Sequence, residues 1–225
     1  MSQIEIKDLQ KYYPTQSGFV KAIDGISFSL EKGDFCMITG DESSGKSTLL
    51  TMLGGLNRPT SGSIIVDGTD IYTLETEHLA DFRHKNLGFM FPSFQLLPFL
   101  TVLENVMLPF VTNEHSLEEQ KEMALSVLRK VYLYYKSGML PGSLNRGEQQ
   151  RVAIARAMVK NPGSILIDEP DPNLDSATSV GIMELLKELN EEGRTIITVH
   201  HNRDFEGYAN RIINLCGGKG ELEYK

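Results

Sequence analysis

Phe35-Cys36-Met37-Ile38-Thr39-Gly40-Asp41-Glu42-Ser43-Ser44-Gly45-Lys46-Ser47-Thr48-Leu49-Leu50 is the stretch that decides the fold. Residues 35–39 read as a buried strand of a parallel sheet. A Gly/Ser loop follows, and the apolar spacing from Thr48 to Leu53 predicts a helix. Residues 40–47 fit G-x-x-x-x-G-K-[ST], in the strand–loop–helix setting that this pattern requires. The physics is direct. Small residues let backbone N–H groups curl around phosphate oxygens, and the helix points its N-terminus at the anion. Lys46 is placed for the β- and γ-phosphates, and the Ser47 hydroxyl for Mg²⁺.

A partner for that loop lies downstream. Ser164-Ile165-Leu166-Ile167-Asp168 predicts a second buried strand that ends in acid. Asp168 there can support Mg²⁺, and Glu169 can polarise an attacking water. Alone, such a pair is only a charged strand end. Beside a phosphate loop it reads as the metal and base pair.

Working outward, residues 1–30 alternate and predict short strands joined by turns. Residues 58–70 predict a hairpin opened by Gly62 and closed by Asp67-Gly68. Helical spacing covers 75–86, 101–110, 116–135, 147–160 and 176–190, with Ser116 as an N-cap and Glu119 three residues on. Thr195–Val199 and Arg211–Leu215 predict two more buried strands. Strands and helices alternate in the last third, which implies a parallel sheet. The fold class expected is α/β: a P-loop NTPase core with a parallel sheet, an N-terminal antiparallel β subdomain and a helical insert. We expect one domain over 1–225, with the helical subdomain at about 90–150.

The composition restricts the function. The chain has 225 residues, 22 Lys+Arg and 30 Asp+Glu, for a formal charge of −8. That balance argues against a nucleic-acid footprint. No apolar stretch reaches the roughly 18–20 residues of a membrane span, and the start lacks the pattern of a signal peptide. Cys36 and Cys216 form no metal or redox spacing. His200-His201 near Glu206 is a weak zinc candidate, because neighbours on a strand point to opposite faces.

With these motifs in order, the sequence resembles the ATP-binding subunit of an ABC transporter over nearly its whole length. Leu144-Asn145-Arg146-Gly147-Glu148-Gln149-Gln150-Arg151 is similar to the family signature. Ile165–Pro170 is similar to Walker B and Asn173-Leu174-Asp175 to the D-loop. GGLNRPTSG at 54–62 and LLPFLTVLENVMLP at 96–109 look most like the lipoprotein-releasing and macrolide-export branch. The resemblance implies ATP and Mg²⁺ as cofactors. It implies Tyr13 stacked on adenine, and Gly40, Ser43, Ser44, Gly45, Lys46, Ser47 and Thr48 around the phosphates. It implies Ser47 and Asp168 at the metal, Glu169 as general base and His201 at the γ-phosphate. Asn145, Arg146, Gly147 and Glu148 would cap the ATP of a second cassette, identical or not. It further implies a cytoplasmic chain, peripheral to the membrane through an integral permease, that couples ATP hydrolysis to export or to lipid or lipoprotein extraction.

Departures from the family pattern fall in the catalytic loops. Ser43 stands where glycine is usual, adding a Cβ and demanding a costly φ > 0. Asp41 and Glu42 place negative charge beside a polyanion. Pro92 stands where a glutamine is expected, and Arg146 where a glycine is. These changes predict reduced hydrolysis. The alternative function is a regulatory or sensing subunit with little turnover. Part of the region Phe89–Phe110, which holds Phe91, Phe94, Leu96, Leu97, Phe99 and Phe110, is expected to receive a coupling helix from the membrane subunit. Tyr132, Tyr134 and Tyr135 are read as packing at a helix end.

Overall fold

The computed structural model describes residues 2–16, 18–110, 115–168, 174–201 and 203–224. Two sheets organise them. The larger has the order β10-β9-β3-β8-β7-β6. Its parallel members are β3 (Phe35–Gly40), β6 (Leu87–Met90), β7 (Ser164–Ile167), β8 (Thr195–Val199) and β9 (Arg211–Cys216); β10 (Lys219–Tyr224) adds antiparallel to the edge. Continuous apolar runs are required here because helices and a second sheet cover both faces. Phe35, Met37, Ile165, Ile167 and Ile196 point into one core. Cys36, Ile38, Leu166, Ile197 and Val199 point into the other. The period of two divides each strand between two buried faces.

The smaller sheet is antiparallel: β1 (Ser2–Thr15) pairs with β2 (Gly18–Glu31) and β4 (Ser61–Val66), and β5 (Thr69–Asp70) closes the edge. Sequence alternation predicts several short strands in the first thirty residues. The structure instead carries two strands of 14 residues, bent by register shifts. One shift spans Asp8, which sits at φ 45. An extra residue at a bulge reverses the alternation without ending the strand, so the pattern looked broken where the strand merely bends. Asp67 (φ 47) and Gly68 (φ 81) form the expected two-residue turn. Gly62 does not open that hairpin. It lies inside β4, where a Cβ would sit 2.3 Å from the Asp8 carbonyl oxygen.

Helix α1 (Lys46–Leu53) follows the phosphate loop, and α2 (Thr76–Asn86) precedes β6. Among the described residues, three α-helices then lie between β6 and β7: α3 (Val102–Met107), α4 (Leu117–Lys130) and α5 (Arg146–Met158). Capping boxes open α3 at Thr101, α4 at Ser116 and α5 at Asn145. Each satisfies N–H groups that a helix start leaves free. Helix α4 stops well short of 135, because Tyr132 adopts φ 62. Finally α6 (Ser176–Glu191) packs beside α5, capped by Asp175, which accepts from Thr178 N at 2.9 Å. Among the described residues no helix is long and apolar enough to cross a membrane.

Candidate functional site

The site grows from the sheet order. β3, β8 and β7 are neighbours, and ligand sites in such sheets form beyond the carboxyl ends of the strands. Gly40 ends β3, Asp168 follows β7, and His200-His201 follow β8. Residues far apart in sequence thus share one rim.

The loop after β3 is tightly determined. Gly40 has φ 143, and a Cβ there would lie 2.2 Å from the Leu215 carbonyl oxygen. Gly45, at φ 103, caps α1, and its Cβ would meet the Ala22 carbonyl oxygen at 2.2 Å. Only glycine fits either position. Ser43 lies between them at φ 61. The positive φ expected from the sequence is present, on a residue that pays a steric penalty for it. Lys46 is buried, and its Nζ donates to the carbonyl oxygens of Gly40 (2.7 Å) and Asp41 (2.6 Å). The buried Ser44 Oγ has no hydrogen-bond partner among the described residues.

Ser47 Oγ donates to Asp168 Oδ1 at 2.9 Å. Burial raises the Asp168 carboxyl above its usual range, while Ser47 and Lys46 pull it down. An open cleft of about 360 Å³ is lined by Ser43, Gly45, Lys46, Ser47, Thr48 and His201. Val20, Ala22 and Val199 line it too. Sequence reading missed these three, since an apolar residue on a strand carries no signal of facing a ligand. Tyr13 lies outside that lining. It is 38% exposed, its hydroxyl accepts from Asn57 Nδ2 at 2.7 Å, and Lys11 Nζ stands 5.1 Å from its ring centroid. Glu169, Pro170 and residues 171–173 lie outside the described residues, so the expected base and the first D-loop residue have no placement here.

His200 and His201 diverge as strand geometry requires. His200 is buried against Thr198 Oγ1 (3.0 Å) and Phe205, whereas His201 is exposed and faces the cleft. Burial, then the charge of His201, lower the His200 pKa to about 4. Among the described residues no group of three His, Cys, Asp or Glu side chains could hold a metal ion.

Residues 145–148 stand apart from this rim, at the start of α5. Asn145 Oδ1 accepts from Glu148 N at 2.9 Å. Lys136, which no local motif singles out, donates to Glu148 Oε1 at 2.5 Å and holds its carboxyl low. A Cβ on Gly147 would lie 2.3 Å from Thr178 Cγ2, so this glycine lets α5 start against α6. Arg146 is exposed, its guanidinium 6.0 Å from the Phe94 ring centroid.

The loop after β6 is unusual. Ser93, Phe94 and Gln95 all have positive φ (60, 59 and 46). Arg156 secures it, donating to the carbonyl oxygens of Phe94 (2.6 Å) and Gln95 (2.7 Å). Nearby, Gly54, Leu56, Ala80, Arg83, Phe89 and Phe91 line a recess of about 300 Å³.

The defining pattern of the ABC transporter family matches residues 23–171. A macrolide export ATP-binding/permease protein of Hyphomonas neptunium is 41% identical over 96% of this chain, but over only 34% of its own length. The chain therefore spans about a third of the length of the curated export proteins it matches. An uncharacterized ABC transporter ATP-binding protein of Thermotoga maritima is 39% identical over 97% of this chain and 93% of its own length. Among solved structures, the dimeric ABC transporter cassette MJ0796, whose sequence is from Methanocaldococcus jannaschii, superposes with a TM-score of 0.90 at 38% identity, covering 98% of both chains. A post-hydrolysis dimer of the same cassette, bound to ADP and Pi, also gives 0.90, at 37% identity.

Proposed function

The chain belongs to the ABC transporter family, and on that premise we propose that it binds ATP with Mg²⁺ and drives a membrane permease. The observation that carries this is the meeting of Lys46, Ser47 and Asp168 at the ends of neighbouring strands. The residues fit the ligand. Ser44 Oγ is a buried hydroxyl in want of a partner, which a phosphate oxygen would supply. Lys46 is held by carbonyls it can exchange for phosphate. Ser47 and Asp168 would hold Mg²⁺, which offsets phosphate charge when bound.

The remaining roles follow the same reading. Gly40, Ser43, Gly45 and Thr48 surround the phosphates, and Tyr13 stacks on the base. His201 contacts the γ-phosphate, and Glu169 serves as base. Two cassettes enclose the nucleotide, with residues 145–148 of each covering the site of the other. Residues 1–225 act as one domain with a helical subdomain at about 90–150. The recess beside Phe89 and Phe91 receives the permease, which holds the cassette at the inner face of the membrane. The work done is export, or extraction of lipid or lipoprotein. Ser43 at φ 61, Pro92 and Arg146 favour slow turnover. The same three residues support a second reading, a sensing subunit that binds ATP with little hydrolysis.

The test is nucleotide binding and turnover by the purified chain, with and without its permease, against Glu169→Gln and Lys46→Ala. Failure to bind Mg²⁺-ATP would overturn the proposal. Turnover at ordinary transporter rates would overturn slow hydrolysis. Turnover unchanged by Glu169→Gln would remove Glu169 as base.

A further inference from the structure

Tyr13 stands off the lining of the phosphate cleft, yet on the same side of its sheet. It pairs with Val20 across the β1–β2 register. Directly paired residues share one face of a sheet, and Val20 lines the cleft. The Tyr13 ring therefore continues the cleft wall one strand further out.

Two contacts hold that ring. Asn57 Nδ2 donates to its hydroxyl at 2.7 Å, and Lys11 Nζ stands over one face, 5.1 Å from the centroid. Neither neighbour is loose. Lys11 Nζ also donates to the Arg58 carbonyl oxygen at 2.7 Å. The Asn57 N–H donates to the Thr51 carbonyl oxygen of α1 at 3.2 Å, and the Asn57 carbonyl oxygen accepts from the Tyr72 hydroxyl at 2.8 Å. The same segment is bonded to β1: Thr60 N donates to the Gln10 carbonyl oxygen at 2.8 Å, and Tyr12 N to Thr60 Oγ1 at 3.0 Å. The Asn57 amide thus has a fixed origin from which to hold a side chain 44 positions earlier.

That matters because Tyr13 is 38% exposed. An exposed aromatic side chain hops among rotamers, and a base that stacks on a mobile ring must order it first, at a loss of affinity. A tie at the far end of the ring removes that loss. The ammonium over one face leaves the other for the base.

We propose that Asn57 is a positioning residue for the nucleotide base, its amide holding the Tyr13 ring in the orientation on which adenine stacks. This deepens the reading that Tyr13 stacks on the base, and rests on it. Asn57 acts through the ring, so the grip of the loop on phosphate does not depend on it.

The experiment measures, by calorimetry, the affinity of the whole chain for Mg²⁺-ATP and for Mg²⁺-tripolyphosphate, which offers the loop an anion without a base. Tyr13→Ala should weaken ATP about tenfold or more, the scale of one aromatic–base stack, and leave tripolyphosphate unchanged. Asn57→Ala and Tyr13→Phe each delete the bond at the hydroxyl. Each should weaken ATP about three- to tenfold, again with tripolyphosphate unchanged. The double variant should bind ATP no more weakly than either single one, because both remove one interaction. Tyr13→Phe keeps the ring and the backbone, so it reads the bond even if Asn57→Ala lowers the melting temperature. Full ATP affinity in both single variants, equal loss of ATP and tripolyphosphate, or additive losses in the double variant would each overturn the positioning role and leave the stack to stand on Tyr13→Ala. Normal ATP affinity in Tyr13→Ala overturns the stacking reading, and the positioning role with it.

Discussion

Ser47 Oγ donates to Asp168 Oδ1 at 2.9 Å across 121 positions of sequence. The bond joins the first turn of α1 to the end of β7, and it exists because β3 and β7 flank the same strand, β8. Asp168 is buried, and burial lifts its carboxyl pKa above the value of an unfolded chain. A raised acid disfavours folding as pH climbs through its range, because the unfolded chain then gives up its proton more readily. Asp168→Asn removes that burden. We expect the variant to be at least as stable as the parent at neutral pH in urea titration. Its Mg²⁺-dependent nucleotide affinity should fall about ten- to a hundredfold. A variant that unfolds more easily and binds Mg²⁺-nucleotide normally would contradict both halves.

Ser43 sits at φ 61 between two glycines whose positive φ is sterically enforced. Ser43→Gly relieves about 1–2 kcal/mol of left-handed strain. It also gives back roughly 0.5–1 kcal/mol through the freer unfolded chain. The melting temperature should therefore rise by no more than a few degrees. Nucleotide affinity should rise several-fold, since Ser43 lines the phosphate cleft. Calorimetry of binding and of unfolding on the same samples separates the two effects.

These residues also mark where the sequence was readable. The loop at 40–47, the strand ending at Asp168 and the capping box at Ser116 are local patterns with fixed spacing, and each stands where its spacing placed it. β6 and β10 were not foreseen: Leu87–Met90 is four residues long, and Lys219–Tyr224 is an edge strand with alternating charge. Neither run is long or apolar enough to stand out from its neighbours. Val20 and Ala22 at the cleft, and Lys136 under Glu148, depend on which segments the fold brings together. No window of sequence holds that information. Arg156 is the clearest case. Its stretch reads as a helix, yet its guanidinium secures a loop 61 and 62 positions earlier.

His200 gives a pH dependence of defined sign. Burial lowers its pKa from 6.5 to about 4. The folded protein thus keeps it neutral where the unfolded chain takes up a proton. That contribution is complete above pH 6.5 and is lost as pH falls towards 4. Across this window the stability should decline by up to about 1.4 kcal/mol per pH unit from this group alone. Urea midpoints measured from pH 7 to pH 4 should show the decline. His200→Gln should flatten it, even if the variant starts from lower stability. An unchanged slope in the variant would assign the acid sensitivity to other groups.

Membrane docking needs a probe that does not unfold the cassette. Phe94 lies in the aromatic-rich region Phe89–Phe110, but it is 6% exposed, and its backbone is clamped by Arg156. A charge there would be buried among apolar side chains and would break the fold. Leu56 is 45% exposed on the recess beside Phe89 and Phe91. Leu56→Glu places a carboxylate on the face that would receive the permease, at little cost to the isolated chain. We expect it to retain nucleotide binding and its melting temperature within a few degrees. It should lose co-purification with the permease by about tenfold or more, the effect of removing a central apolar contact and leaving a charge against it. Phe99, 73% exposed, lies outside that recess. Phe99→Glu is the companion variant that should leave co-purification intact, and equal loss from both would move the docking surface from the recess to the helical face.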